Sequence, residues 1–158
     1  MTGRHTILIV EDDPKNAQAL SEMVQSMDMD CKVAGTLEEV RALLGAGLCP
    51  CGVLQDMQLP HAEGARPHEK TGESSIAMVK GIWNGKGRPA IVVVTAFRAD
   101  PDYVWEMAEL GVDWFVAKTE VHKLPERLRA AMKKQGRENH ADCEACGKAA
   151  RVVPVRSA

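Results

Sequence analysis

The sequence lacks a hydrophobic run that is long enough to span a membrane. Its purely apolar runs, such as residues 7–10 and 90–94, are at most five residues long, whereas a membrane-spanning helix needs about 20 consecutive apolar residues. Residues 1–5 are polar and lead directly into a strand-like run, so no secretory signal is visible. From these absences we expect a cytoplasmic protein without membrane insertion.

An excess of charge of one sign is also missing. The 20 Lys and Arg residues oppose 22 Asp and Glu residues, which leaves a formal net charge of −2. The basic residues are scattered along the chain, whereas proteins that bind nucleic acid present a clustered basic patch. We therefore expect no direct contact with nucleic acid.

The five cysteines are not the even-numbered set that a disulfide framework requires. Cys143 and Cys146 form a Cys-x-x-Cys pair with His140 three residues before it, which can be half of a zinc site. The matching second pair is missing from the sequence. Inert thiols are the default interpretation, and zinc binding or redox pairing stays open.

The sequence does contain a regular alternation of short apolar runs and helical patterns. The length of 158 residues favours a single domain. Strands are predicted at residues 5–10, 31–34, 51–55, 90–94 and 113–117. Helical spacing is found at about residues 14–27, 36–44, 75–83, 101–110 and 123–134. This alternation predicts an α/β fold with a five-stranded, doubly wound parallel sheet in the flavodoxin-like order 2-1-3-4-5.

Two segments fall outside this alternation. Residues 61–73 form a long polar loop with two His, one Pro and two Gly, and residues 136–158 form a polar tail. We predict one domain over residues 1–135, which includes the loop, and a flexible tail after it. The tail is too short for a helix-turn-helix, so output through contact with another protein is expected.

Acidic, hydroxyl and basic side chains follow four of the predicted strands. They are Glu11, Asp12 and Asp13 after the first strand, Asp56 after the third, Thr95 after the fourth and Lys118 after the fifth. A doubly wound sheet collects the carboxyl ends of its strands along one crevice. The fold therefore predicts one shared cleft, in which Asp13 ranks behind Glu11 and Asp12 as a site residue.

Several carboxylates in one cleft repel one another and raise each other's pKa, and a bound divalent cation relieves this repulsion. Oxygen ligands without His or Cys suit Mg²⁺. A carboxylate beside Mg²⁺ can attack a phosphoryl group, while a lysine and a threonine supply donors to the phosphoryl oxygens. Each residue alone is typical of a solvated strand end, but the combination favours phosphoryl transfer.

These motifs resemble those of the receiver domains of bacterial two-component response regulators, of the stand-alone type. The matching stretches are Ile-Leu-Ile-Val-Glu11-Asp12-Asp13-Pro14, Leu-Gln-Asp56-Met-Gln-Leu-Pro60 with Gly64, Val-Val-Val-Thr95-Ala96 and Phe115-Val-Ala-Lys118. The resemblance covers about residues 5–135. It implies a phosphorylation-dependent signalling switch rather than a classical enzyme.

The resemblance also implies a role for each site residue. Asp56 would accept a phosphoryl group from a histidine kinase or phosphotransfer protein, and Lys118 would pair with Asp56 or its phosphate. Thr95 and Phe115 would form the switch that alters contact with a downstream protein. The implied Mg²⁺ ligands are Glu11, Asp12, Asp56 and the main-chain carbonyl of Gln58. A monomer or weak dimer is expected.

The sequence departs from the family pattern in three places. Thr119 follows the lysine where the family usually has proline; because a cis bond before a non-proline residue costs about 2.5–4 kcal/mol, we predict a trans Lys118–Thr119 bond. Phe115 stands where tyrosine is common. The interval from Asp56 to Thr95 is 39 residues, longer than is typical of the family, and the excess lies in residues 65–73.

These departures keep a phosphate-independent pseudo-receiver adaptor open as the alternative. A Mg²⁺-dependent phosphohydrolase of the haloacid dehalogenase type is disfavoured, because it needs a second aspartate two residues after the nucleophile and Gln58 stands there. Nucleotide binding is disfavoured too, since the first strand leads into acids rather than a glycine-rich phosphate loop.

Overall fold

The computed structural model describes residues 4–81, 88–96 and 101–137. Its strands are β1 (Thr6–Val10), β2 (Asp30–Ala34), β3 (Gly52–Gln55), β4 (Ala90–Thr95) and β5 (Trp114–Ala117). Its α-helices are α1 (Pro14–Ser26), α2 (Leu37–Gly45), α3 (Glu69–Gly81), α4 (Pro101–Leu110) and α5 (Leu124–Lys134), and a 3₁₀ helix (Lys118–Lys123) joins β5 to α5. No helix in the described part of the chain has both the length and the apolar character needed to cross a membrane.

The five strands form one parallel sheet in the order β2-β1-β3-β4-β5, which confirms the predicted fold. Its register brings the site residues together. Val10 pairs with Gln55, so Glu11 and Asp56 follow neighbouring strand ends. Thr95 pairs with Ala117 in the same way, and Lys118 is the next residue.

Helices cover both faces of the sheet. Successive residues of a strand point to opposite faces, so each strand contributes side chains to both layers. One face packs against α1 and α5 through Ile7, Ile9, Leu54, Val92, Val94, Leu20, Val24, Leu124 and Leu128. The other face packs against α2, α3 and α4 through Leu8, Val10, Val53, Ile91, Val93, Val40, Leu44, Ile76, Val79 and Met107. The two layers leave the carboxyl ends of the strands as the open edge.

The long polar loop predicted at residues 61–73 is shorter than expected, because α3 begins at Glu69. The first turn of this helix is polar and shows no apolar periodicity, so the sequence pattern missed it. Nδ1 of His68 accepts a hydrogen bond from the main-chain N–H of Lys70 and so caps the helix. His68 also forms an isolated antiparallel bridge with Leu59, which ties the end of the loop to the segment after β3.

The described residues continue to Arg137, two residues past the predicted end of the domain. Gly136 adopts a φ of 70°, and the main-chain N–H of Arg137 donates to the Met132 carbonyl across 2.7 Å. This is a common way for a helix to end, because glycine tolerates the left-handed conformation. The Arg137 side chain is buried, at 1% exposure. The rest of the predicted tail, including Cys143 and Cys146, lies outside the described residues.

Candidate functional site

Three carboxylates meet at the ends of β1 and β3. Glu11, Asp12 and Asp56 each offer an oxygen, and these oxygens all lie within 4.8 Å of one another. Glu11 and Asp56 are buried, whereas Asp12 is exposed. The main-chain N–H of Glu11 donates to the Ala34 carbonyl and that of Asp56 to the Val10 carbonyl, so the sheet ladder holds both positions. The predicted acidic cleft is therefore present in the structure.

Lys118 brings a positive charge into this cluster from the end of β5. Its ammonium donates to Oε1 of Glu11 across 2.9 Å and to Oδ2 of Asp56 across 3.4 Å. No cis peptide bond occurs in the described residues, so the predicted trans bond before Thr119 is confirmed. The 3₁₀ helix begins at Lys118, directly after β5, and joins that strand to α5.

The packing of these groups shifts their protonation. Burial raises the pKa of Glu11 from 4.5 to about 7; the neighbouring Asp56 carboxyl adds to the rise, and the Lys118 ammonium opposes it. Burial and the charge of Glu11 also raise the pKa of Asp12. Burial alone would lower the pKa of Lys118, but its hydrogen bond to Glu11 and the charges of both acids raise it. The cluster thus carries more negative charge than one lysine satisfies.

The donor set fits a divalent cation. Oε2 of Glu11 is buried and has no hydrogen-bond partner among the described residues, which leaves an acceptor for a ligand. Hard cations such as Mg²⁺ favour carboxylate and carbonyl oxygens, and the cluster consists of such oxygens. The main-chain N–H of Gln58 donates to Oδ1 of Asp56 across 3.1 Å, so the loop that carries the predicted carbonyl ligand lies beside the Asp56 carboxylate.

Asp13, the third acid of the motif, lies outside the cluster. Its Oδ1 accepts hydrogen bonds from the main-chain N–H groups of Lys15 and Asn16 at 2.9 and 3.4 Å. An aspartate in this position is a favourable N-cap, and the following Pro14 suits the first helical turn. Asp13 therefore sets the start of α1, which agrees with its lower rank as a site residue.

Thr95 and Phe115, the predicted switch residues, lie on β4, which is next to β3, and on β5, which is next to β4. Thr95 ends β4 with an exposure of 1%, and Phe115 in β5 is half-buried and packs against the core under α4. Neither residue belongs to the carboxylate cluster. Their positions agree with the resemblance, whereas their role as a switch stays a prediction.

Tyr103 on α4 is a residue that the sequence reasoning missed. Burial raises the pKa of its hydroxyl, a hydrogen bond with the Thr95 side chain opposes the rise, and the negative charges of Glu69 and Asp56 add to it. The Tyr103 hydroxyl therefore lies beside Thr95 and within electrostatic range of Asp56. It is the single tyrosine of the sequence. Because Phe115 lacks a hydroxyl, a search for one elsewhere would have pointed to it.

Gln55 and Ser75 were also missed. Gln55 is the last residue of β3, is fully buried, and donates from Nε2 to the Asp56 carbonyl across 2.7 Å. The Ser75 hydroxyl of α3 donates to Oε1 of Gln55 across 2.8 Å. A glutamine that follows Val53 and Leu54 in a buried strand was the available signal, since a buried amide needs partners.

Residues 7–132 match the family model described as the response regulator receiver domain. The BeF3-activated N-terminal receiver domain of Klebsiella pneumoniae RstA is similar in structure, with 25% identity and a TM-score of 0.63 over 82% of this chain and 99% of that chain.

Two further solved structures share the fold. The receiver domain of the sensor histidine kinase PA1611 from Pseudomonas aeruginosa PAO1, with a magnesium ion coordinated in its active site cleft, has 20% identity and a TM-score of 0.62 over 83% of this chain and 99% of that chain. A CheY-like response regulator receiver domain protein from Methanospirillum hungatei JF-1 has 18% identity and a TM-score of 0.66 over 87% of this chain and 100% of that chain. No curated protein matches the sequence.

Proposed function

Because the chain belongs to the response regulator receiver domain family, we propose that it is a phosphorylation-dependent switch of a two-component system. In this proposal Asp56 accepts a phosphoryl group from a histidine kinase or phosphotransfer protein. The observation that carries the proposal is the placement of the buried Asp56 carboxylate between two other acids and the Lys118 ammonium. The cytoplasmic location expected from the sequence is part of the same proposal.

The transfer itself needs a nucleophile that is held in place. An oxygen of the Asp56 carboxylate attacks the phosphorus of the donor phosphohistidine, a P–O bond forms, and the P–N bond breaks. The electron pair of that bond returns to the imidazole nitrogen, and Asp56 becomes an acyl phosphate. The Gln58 N–H, 3.1 Å from Oδ1, orients the carboxylate for this attack.

A divalent cation would be held by Glu11, Asp12 and Asp56, with the Gln58 carbonyl as the further ligand expected from the family. When bound, Mg²⁺ supplies the positive charge that offsets the charges of the carboxylates and the incoming phosphoryl group. Glu11 must lose its proton to act as a ligand, and its pKa of about 7 makes this a pH-dependent step.

Phosphorylation changes which partners the neighbouring donors prefer. Lys118 now divides its hydrogen bonds between Glu11 and Asp56. A phosphoryl group on Asp56 adds strong acceptor oxygens, to which the Lys118 ammonium and the Thr95 hydroxyl would turn. Tyr103 contacts Thr95 from α4, so movement of Thr95 would be passed to that helix.

The surface that α4, β5 and α5 present is the proposed contact face for a downstream protein. Trp105 on α4 is 67% exposed and Trp114 on β5 is 39% exposed. The Arg127 guanidinium of α5 lies 4.5 Å from the centroid of the Trp114 ring. Aromatic and arginine side chains are the residues that most often carry binding energy in protein interfaces.

Receiver domains are signalling domains, and this one is proposed to act only on its own Asp56. The test is the intact mass of the protein after incubation with acetyl phosphate and Mg²⁺. The wild type should gain one phosphoryl group, and the Asp56→Asn variant should gain none because it lacks the nucleophile. Removal of Mg²⁺ with a chelator should suppress the gain in the wild type.

Two outcomes would contradict the proposal. Uptake by Asp56→Asn at the wild-type rate would show that another residue is the acceptor. A folded wild type that takes up no phosphoryl group, from acetyl phosphate or from a phosphorylated histidine phosphotransfer protein, would favour the pseudo-receiver adaptor.

A further inference from the structure

We propose that Gln55 and Ser75 are positioning residues that hold the main chain around Asp56 in the orientation needed for a divalent cation. Gln55 lies inside the sheet and Ser75 on the helix that covers it. Together they form a chain of two hydrogen bonds that ends on the Asp56 carbonyl. The inference rests on the proposed function, because it assigns these residues a part in the same site.

The position of Gln55 makes an amide side chain unexpected there. It pairs in register with Val10 of β1 and Val93 of β4, whose side chains belong to the core under α2, α3 and α4. Gln55 has an exposure of 0% and Ser75 also 0%. A buried amide is unfavourable unless its polar atoms are bonded, so an apolar residue would satisfy packing alone. The hydrogen bonds indicate what the amide does instead.

These bonds fix the two peptide planes that flank Asp56. The N–H of Asp56 donates to the Val10 carbonyl across 2.8 Å, which orients the peptide before it. Nε2 of Gln55 donates to the Asp56 carbonyl across 2.7 Å, which orients the peptide after it. The following loop then places the Gln58 N–H on Oδ1 of Asp56. The carboxylate and the loop that carries the Gln58 carbonyl are thereby held relative to each other.

Ser75 satisfies the oxygen end of the Gln55 amide. The Asp56 carbonyl can only accept, so the amino end of the amide faces it, and the Ser75 hydroxyl donates to Oε1 at the other end. Ser75 reaches this position because α3 lies very close to the segment after β3. At Gly72, one turn earlier, an added Cβ would stand 2.6 Å from the Cα atom of Met57. The absence of a side chain at this position permits the contact.

The test compares substitutions that remove these hydrogen bonds with one that disturbs only packing. Gln55→Met keeps the length of the side chain and removes both bonds, and Ser75→Ala removes the donor to Oε1 and leaves that buried oxygen without this hydrogen bond. Val53→Ala is the matched control, because Val53 is buried on the same face of β3, two residues before Gln55. Urea unfolding measures the stability of each variant without metal.

Two readouts report on positioning. Titration calorimetry should show Mg²⁺ binding weakened about tenfold or more in Gln55→Met, as is typical when a residue that supports metal ligands is lost. Ser75→Ala should also weaken Mg²⁺ binding, whereas Val53→Ala should leave it unchanged. Hydrogen exchange of residues 56–59 in the metal-free protein should be faster in Gln55→Met than in Val53→Ala of comparable stability.

Wild-type Mg²⁺ affinity in Gln55→Met, or in Ser75→Ala if the first variant does not fold, would overturn the inference. The inference would also be overturned if the hydrogen-exchange rates of residues 56–59 in all three variants depended only on the global stability of each variant. The proposed function fails separately: a wild type without phosphoryl uptake contradicts that function, whereas the exchange measurement needs neither phosphate nor metal.

Discussion

Lys118 donates a hydrogen bond to Glu11 across 2.9 Å, and the Glu11 side chain is only 1% exposed. The lysine is farther from Asp56, at 3.4 Å. In the metal-free protein, therefore, Lys118 mainly compensates an acid other than the proposed phosphoacceptor. A cation that binds the three carboxylates takes over this compensation, and Lys118 becomes available to a phosphoryl group on Asp56.

Replacing Lys118 by methionine keeps most of the aliphatic stem but removes the charge. Two buried carboxylates then lose their cation, so the free energy of unfolding in a chelator should fall by about 1–3 kcal/mol. Phosphoryl uptake at Asp56 should persist at a reduced rate, because the nucleophile and the Mg²⁺ ligands are intact. Urea unfolding and intact mass measure the two effects.

Lys123→Met is the matched control for this substitution. Lys123 pairs with Glu120 at 3.1 Å, but both side chains are more than 40% exposed. Exposed ion pairs contribute little, so stability should change by less than about 1 kcal/mol. Equal losses of unfolding free energy in the two variants would mean that the Lys118 charge stabilises the protein no more than an exposed ion pair does.

The raised pKa of Glu11 predicts a pH dependence of stability without metal. Its folded-state pKa of about 7 exceeds the ordinary value of 4.5. The folded protein binds the Glu11 proton more tightly than the unfolded chain does. The stabilisation that results is therefore fully present below about pH 4.5 and is lost as the pH rises through 7, where the folded protein releases the proton.

Glu11→Gln removes this titration. The unfolding free energy of the wild type minus that of Glu11→Gln should decrease between pH 4.5 and 8 by roughly 1–3 kcal/mol. Chemical denaturation in a chelator at several pH values measures the difference. A difference that is constant or increases with pH would show that Glu11 is already ionised at low pH in the folded protein.

Tyr103→Phe tests whether a movement of the Thr95 side chain is transmitted to α4. The variant should take up the phosphoryl group like the wild type, since Tyr103 acts through Thr95 rather than on Asp56. The change in hydrogen exchange of α4 on phosphorylation should become smaller, because the hydroxyl link is gone. Trp105→Phe, an exposed aromatic change on the same helix, is the control and should retain the full change.

Gly72→Ala should destabilise the protein, because a Cβ would stand 2.6 Å from the Cα atom and 2.8 Å from the carbonyl carbon of Met57. The main chain of Met57 cannot move aside as the end of a side chain can. We therefore expect the free energy of unfolding to fall by about 1–3 kcal/mol or more. Gly45→Ala in α2 is the matched control, since a Cβ there meets no atom within 4 Å. Alanine should instead stabilise the protein slightly, by up to about 0.5 kcal/mol, because Gly45 is the last residue of α2 and the full helix-interior gain does not apply there. Thermal or urea unfolding distinguishes the expected destabilisation by Gly72→Ala from the expected stabilisation by Gly45→Ala.

Two truncations test where the domain ends. Removal of residues 138–158 should leave the thermal midpoint nearly unchanged, as expected for a tail that follows a complete five-stranded fold. Removal of residues 136–158 should lower it, because the buried Arg137 and its N–H bond to Met132 are then lost. A large loss in the shorter deletion would show that the tail packs on the domain.

The sequence by itself determined the sheet and the chemical types at its edge. The apolar runs that became β1 and β4 stood out because strands buried on both faces leave no polar positions. Asp56 and Lys118 followed from those runs, since a parallel sheet brings its strand ends to one edge. The helical spacing predicted from about residue 36 is confirmed by α2, and Oγ1 of Thr36 caps this helix by accepting from the Glu39 N–H across 3.1 Å.

Only the tertiary structure decided which of these groups touch. The close approach of α3 to the segment after β3 depends on the missing side chain of Gly72, and a local pattern of polar residues does not reveal that contact. Ser75 and Gln55 are 20 residues apart in sequence, and Lys118 and Glu11 are 107 apart. Periodicity reports which face of an element is buried. The partner that a polar atom finds depends on how the helical layers lie across the sheet, because hydrogen bonds form only within a few tenths of an ångström of their preferred length.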